Sequence, residues 1–97
     1  MTSMEKKLTE NRLTEVKAAL SAKYRTVDLG GEKFFVATDG AFFRVGVFPG
    51  AMALVIEYAD TEQEARQNAL EDGDRFYLDE TTLAEMLRLM IVEIERC

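Results

Sequence analysis

The sequence contains no histidine and only one cysteine among its 97 residues. Histidine is the commonest general base and metal ligand in proteins, so its absence removes the usual core of a catalytic or metal site. Cys97 has no second cysteine for a disulfide and no base nearby in sequence, which makes it a weak candidate nucleophile. These absences favour a binding protein over an enzyme, with neither a metal nor a cofactor.

Motifs for phosphate, calcium and membranes are also missing. Gly30 and Gly31 are not followed by the lysine and hydroxyl residue of a phosphate loop. The segment from Glu71 to Asp74 resembles the start of a calcium loop, but Tyr77 and Leu83 stand where that loop needs glycine and glutamate. The N-terminus lacks the apolar core of a signal peptide, and no run approaches the roughly 18 apolar residues of a membrane span. We therefore expect a cytoplasmic protein.

The composition is that of one folded domain, which we expect to span residues 1–97. Hydrophobic residues make up 47% and charged residues 31% of the chain. The charge is uneven, because residues 1–48 sum to +2 and residues 49–97 to −8. A net charge of −6 argues against binding to nucleic acid or anionic membrane and favours a basic partner.

Most of the negative charge lies in one stretch, Glu57–Glu80, with nine carboxylates and two arginines. Carboxylates spread along a helix and the following loop can imitate the anionic backbone of a nucleic acid and attract a groove lined with lysine and arginine. Tyr58, Phe76 and Tyr77 could add the aromatic anchors of a tight interface, or fix the loop to the core. The predicted partner-binding residues are Glu57, Asp60, Glu62, Glu64, Glu71, Asp72, Asp74, Tyr77, Asp79 and Glu80.

This stretch, EYADTEQEARQNALEDGDRFYLDE, resembles the acidic segment of small proteins from phages and mobile elements. As a short acidic α+β chain without catalytic residues, the protein also resembles anti-CRISPR inhibitors. The resemblance implies the cytoplasm of a bacterial host as location and a CRISPR effector nuclease as partner, with the acids in a site meant for DNA. Two alternatives remain open. One is an immunity or antitoxin protein that neutralises a nuclease toxin, and the other is an adaptor that dimerises through its C-terminal helix or a sheet face.

The predicted architecture is an N-terminal helix, a four-stranded antiparallel meander, a short acidic helix and a long C-terminal helix. Capping boxes are expected at Thr2 with Glu5 and at Thr82 with Glu85. The acidic helix begins at Asp60 or Thr61, runs to about Leu70 and ends at Gly73 as a left-handed cap, followed by a connection over residues 74–79. The first helix is predicted over residues 3–23 and the strands over residues 24–29, 32–38, 41–48 and 51–59, with turns at Gly30-Gly31, Asp39-Gly40 and Pro49-Gly50.

Alternation along these strands predicts two apolar sheet faces. One face is suited to cover by helices. The other carries Phe35, Ala37, Phe42 and Val55, and we expect either the C-terminal segment or a partner subunit to cover it.

Overall fold

A computed structural model of the chain describes residues 2–29 and 34–96. The predicted α+β architecture is confirmed, with one more strand than expected. The elements are α1 (Ser3–Lys23), β1 (Arg25–Asp28), β2 (Phe34–Ala37), β3 (Phe42–Val47), β4 (Ala53–Ala59), α2 (Glu62–Arg66), β5 (Glu71–Tyr77) and α3 (Leu83–Arg96).

The five strands form one antiparallel sheet in the order β1-β2-β3-β4-β5. Helices α1 and α3 cover one face, because their apolar residues pack with those of the strands in a single buried cluster. Helix α3 contributes Met86, Met90 and Ile94, each at most 1% exposed. The three lie at the i, i+4 and i+8 spacing that places side chains on one face of a helix.

The opposite sheet face carries a second, smaller buried cluster formed by Leu29, Phe35, Ala59 and Ala65. Ala65 belongs to α2, so the acidic helix itself covers this part of the sheet. This differs from the predicted cover, which was the C-terminal segment or a partner subunit. Val55, farther along the same face, remains half-buried.

Local signals in the sequence place several elements correctly. Thr2 and Glu5 form the predicted capping box, and the hydroxyl of Thr61 accepts the backbone N–H of Glu64 at the start of α2. The hairpin at Asp39-Gly40 is confirmed by the N–H of Thr38, which donates to the carbonyl of Ala41 over 3.0 Å. Gly50 has a φ of 81°, as the predicted turn requires. The predicted turn at Gly30-Gly31 lies outside the described residues, as does Cys97.

The prediction for the segment after α2 is wrong. The helix ends at Arg66, and Asn68 takes the left-handed conformation with a φ of 60°. Gly73 is not a helix cap but lies inside β5, at a register shift between β4 and β5. A Cβ atom at Gly73 would lie 2.6 Å from the backbone oxygen of Ile56, so only glycine allows this close approach.

Among the described residues, no helix combines the length and hydropathy needed to cross a membrane.

Candidate functional site

The predicted partner-binding residues lie on β4, on or just before α2, and along β5 with the turn that follows it. Glu71 pairs with Tyr58, so the start of β5 lies beside the end of β4, from which Asp60 leads into α2. Asp79 lies in the turn beyond the other end of β5, a strand of seven residues that spans about 20 Å. The structure therefore groups Asp60 with Glu71 and Asp72, and separates Asp79 and Glu80 from them.

Glu57 is an ion-paired residue of the sheet. The guanidinium of Arg44 donates to its Oε1 atom from two nitrogens, at 2.8 Å and 3.3 Å. Both side chains are mostly buried, with 24% of Arg44 and 22% of Glu57 exposed. Because its charge is already neutralised, Glu57 contributes little to the net attraction of a cationic partner.

The two predicted glutamates of α2 differ in their surroundings. Glu62 forms an exposed ion pair with Arg66 at 3.0 Å, in the i, i+4 spacing that stabilises a helix. Glu64 accepts a hydrogen bond of 3.0 Å from the hydroxyl of Thr61 and keeps its charge. Of the two, Glu64 is therefore the residue that adds to the net negative charge of this surface.

Several exposed carboxylates have no cation within 4.0 Å in the part of the chain that the structure describes, and five of them lie between residues 60 and 74. We refer to these five together as the acidic surface. They lie in the turn before α2, on α2 and on β5, which is an edge strand of the sheet. The acidic surface consists of Asp60, Glu64, Glu71, Asp72 and Asp74.

The aromatic residues beside these acids are less exposed than an interface anchor requires. Phe76 is 5% exposed and belongs to the main core, so its role is to fix β5 to the sheet. Tyr58 is half-buried, with its ring centroid 6.3 Å from that of Phe43. Tyr77 is also half-buried, opposite Ala53. Only the exposed parts of the two tyrosines are available to a partner.

A shallow cleft of about 340 Å³ opens on the part of the sheet that α2 leaves uncovered. Its lining combines apolar side chains with side chains of both signs of charge. The guanidinium carbon of Arg75 lies 4.2 Å from the ring centroid of Phe48, in a cation–π contact. The residues that line this cleft include Arg44, Phe48, Val55, Glu57, Asp72 and Arg75.

Sequence reasoning missed three features of this cleft: Arg44, Phe48 and the neighbouring Gly46. A single arginine or phenylalanine in an alternating strand gives no distinct signal. Gly46 does give one, because a glycine inside a strand pattern indicates a bulge or a close approach of another group to the backbone.

Asp79 lies at a second groove, of about 350 Å³, between α1 and the end of β5. Its apolar lining comes from Leu8, Met52 and Leu78, and Leu8 is 49% exposed. The lining also includes Arg12, whose guanidinium donates to the backbone carbonyl of Thr81 over 3.0 Å. This groove is separate from the acidic surface.

Glu93 on α3 is a carboxylate that the sequence did not single out. Its Oε2 atom is buried and has no hydrogen-bond partner among the described residues. Desolvation by burial, followed by the negative charge of Asp74, raises the pKa of Glu93 above its ordinary value of 4.5. The other carboxylate oxygen, Oε1, lies where a side chain at Gly73 would be, at 2.8 Å from its Cβ position.

Within residues 2–29 and 34–96, no group of three or more acidic, cysteine or histidine side chains is arranged to hold a metal ion. Comparison of the chain with family models, with curated proteins and with solved structures finds no match.

Proposed function

We propose that the protein is a non-enzymatic inhibitor that binds a basic nucleic-acid-handling protein through the acidic surface. The observation that carries this proposal is that Asp60, Glu64, Glu71, Asp72 and Asp74 are exposed and have no cation within 4.0 Å among the described residues. Such carboxylates attract a cationic groove over roughly a Debye length of about 8–10 Å and favour fast association.

The backbone supports this role by holding the acids on regular structure. β5 is an edge strand that displays Glu71, Asp72 and Asp74 along one border of the sheet, with Asp79 and Glu80 beyond its end. An extended row of carboxylates matches a groove whose lysines and arginines bind the phosphates of a nucleic acid. The partner implied by the resemblance to anti-CRISPR inhibitors is a CRISPR effector nuclease, and a nuclease toxin would satisfy the same physics.

The adaptor alternative receives less support from the packing of α3. One of its two predicted dimer contacts, beside a sheet face, is the apolar stripe of this helix, but Met86, Met90 and Ile94 are buried in the chain's own core. Val92, with 45% exposure, is the large hydrophobic residue of α3 that remains exposed. One exposed side chain is too small an apolar area for a stable dimer.

The test compares three immobilised baits in a bacterial lysate that contains the candidate effector. The first is the natural chain, and the second carries Glu64→Lys, Glu71→Lys and Asp72→Lys in the acidic surface. The third carries Glu10→Lys, Glu15→Lys and Asp28→Lys, at exposed positions remote from that surface in sequence. Each set of three reversals adds six charges and brings the formal net charge from −6 to zero, so the two variants differ only in where the charge changes.

We expect the natural chain and the remote variant to capture the same basic protein at about 50 mM salt and to release it by about 500 mM. The variant in the acidic surface should fail to capture it. Duplex DNA added as a competitor should displace the captured protein if the acids occupy its nucleic-acid site. Equal capture by all three baits would refute the proposal.

A further inference from the structure

Gly46 is a glycine that the described fold does not require. It lies in β3, the middle strand of the sheet, and its φ is not positive, unlike that of Gly50. A Cβ atom built on Gly46 would meet no described atom within 4 Å, whereas one on Gly73 would meet backbone at 2.6 Å. Glycine inside a strand weakens the fold, since it loses more backbone entropy and packs no side chain.

A strand glycine often marks a bulge, a tight bend or a place where another group approaches the backbone closely. The pairing of β3 with β4 continues through Gly46 without a register shift, which favours the close approach. Gly46 lies on β3 directly opposite Val55 of β4, two residues after Arg44 and two before Phe48, which follows the end of the strand. Alternation therefore places its missing side chain on the face that carries Arg44 and Val55, both of which line the cleft of about 340 Å³. That volume is at the small end of ligand sites and suits one ring-sized group.

The balance of charges in the lining favours a neutral group as the occupant of the cleft. Arg44 is neutralised by Glu57, and Arg75 and Asp72 bring one charge of each sign. The formal charges of the lining therefore cancel. Asp72 is exposed and has no cation within 4.0 Å among the described residues, and α2 with Glu64 packs on the same sheet face, so an apolar group flanked by a cation is the best electrostatic match.

We propose that this cleft receives the ring of an aromatic side chain from a basic segment of the partner protein. This inference rests on the proposed function and identifies the chemistry of the contact. The ring lies over the bare backbone of Gly46 and against Val55, within reach of an edge-to-face contact with Phe48. Lysine or arginine next to the ring reaches the carboxylate of Asp72, which lines the cleft. A planar ring suits the site because the strand has no side chain at Gly46 and therefore presents a flat surface there.

The probe is the peptide acetyl-Lys-Trp-Lys-amide, with acetyl-Lys-Ala-Lys-amide as its matched control. The chain contains no tryptophan, so the fluorescence of the peptide's indole reports binding directly. Heteronuclear NMR of the isotope-labelled chain, titrated with each peptide, locates the contact. We expect the tryptophan peptide to bind about tenfold more tightly than the alanine peptide. It should shift the amides of Gly46, Phe48 and Val55, which the alanine peptide leaves unchanged.

Two variants connect binding to the cleft. Gly46→Leu extends a side chain over Val55 and should abolish the advantage of the tryptophan peptide while leaving the salt-dependent binding of both peptides. Gly46→Ala adds only a methyl group and should retain at least part of that advantage. Urea unfolding of both variants checks that the fold is intact, which we expect because the space at Gly46 is open.

The outcomes separate this inference from the proposed function. Equal, salt-dependent affinities for the two peptides, unchanged by Gly46→Leu, would overturn the aromatic contact and leave the acidic surface as the binding site. If both peptides keep their affinities, and the tryptophan peptide its advantage, after reversal of Glu64, Glu71 and Asp72 to lysine, the result would support the cleft and count against the proposed function. Absence of peptide binding would overturn the inference. It would also be overturned if the same amides shifted with protein concentration alone, because the occupant would then be a second copy of the chain.

Discussion

Arg44 and Glu57 form a cross-strand ion pair between β3 and β4, with the closest approach of 2.8 Å between Nη2 and Oε1. The other terminal nitrogen of Arg44 donates to Oδ1 of Asn68 over 2.7 Å. Asn68 is the left-handed residue that follows α2. The guanidinium of Arg44 therefore links the sheet to the segment that follows α2. It also neutralises Glu57, which distinguishes this residue from the unpaired carboxylates of the acidic surface.

Removing Arg44 should cost more stability than removing an arginine from an exposed pair. Arg44→Ala leaves the mostly buried Glu57 without its partner and releases Asn68, and we expect the free energy of unfolding to fall by about 1–3 kcal/mol. Arg66→Ala breaks the exposed pair with Glu62, where the two side chains are 52% and 57% exposed, and should cost less than about 1 kcal/mol. Urea unfolding measures both. Equal losses would contradict a special role for Arg44.

The two strand glycines should respond in opposite directions to the same substitution. Gly73→Ala places a Cβ atom 2.6 Å from the oxygen of Ile56 and 2.8 Å from Oε1 of Glu93, so overpacking should cost about 1–3 kcal/mol. Gly46→Ala meets open space and should raise the free energy of unfolding by about 0.5–1 kcal/mol, because the unfolded chain loses backbone freedom. Chemical denaturation of the two variants measures both changes in the free energy of unfolding. Changes of the same sign and similar size would contradict this prediction.

The starts of the helices could be predicted from sequence because local interactions specify them. Thr2 with Glu5 and Thr61 with Glu64 form their caps within four residues of sequence, and α3 carries an apolar repeat that one face of the sheet buries. The two-residue turn at Asp39-Gly40 is equally local. These features need no knowledge of the rest of the chain.

Strand β5 could not be predicted in the same way. Four of its first five residues are exposed, so alternation is hidden, and Gly73 resembles the cap of a preceding helix. The reason for that glycine lies in Ile56 and Glu93, which are distant in sequence. The ion pair of Glu57 could not be predicted either, because it depends on the strand register that places Arg44 directly opposite Glu57. Counting charges along the chain consequently overestimated the number of free acids.

Aspartate substitutions on α3 should separate core positions from the exposed face. Met90 is 0% exposed, and Met90→Asp buries a charge without a partner, so we expect loss of the folded state. Val92 is 45% exposed, and Val92→Asp should change the free energy of unfolding by about 0.5 kcal/mol or less. Circular dichroism reports folding, and size-exclusion chromatography reports the mass. A folded dimer that becomes a folded monomer on Val92→Asp would favour the adaptor alternative.

The contribution of Glu93 to the free energy of unfolding should be larger in mild acid than at neutral pH. Burial and Asp74 raise the pKa of its carboxyl above 4.5 in the folded state, although a backbone hydrogen bond from Asp74 and the charge of Arg96 offset part of the rise. Between 4.5 and that raised pKa, the folded chain holds a proton at Glu93 that the unfolded chain has released. The contribution of this group to stability is therefore complete below 4.5 and is lost as pH rises through the folded pKa.

Glu93→Gln removes the buried charge while keeping the shape of the side chain, so it should raise the free energy of unfolding at neutral pH. The difference between the variant and the natural chain should shrink as pH falls toward 4.5, where Glu93 is protonated in the folded state. Urea unfolding across this pH range tests the expectation, and Glu80→Gln at an exposed position of the turn before α3 serves as the control. A stability difference that stays constant with pH would show that Glu93 acts through packing alone, because only a titrating group changes its contribution as protons bind.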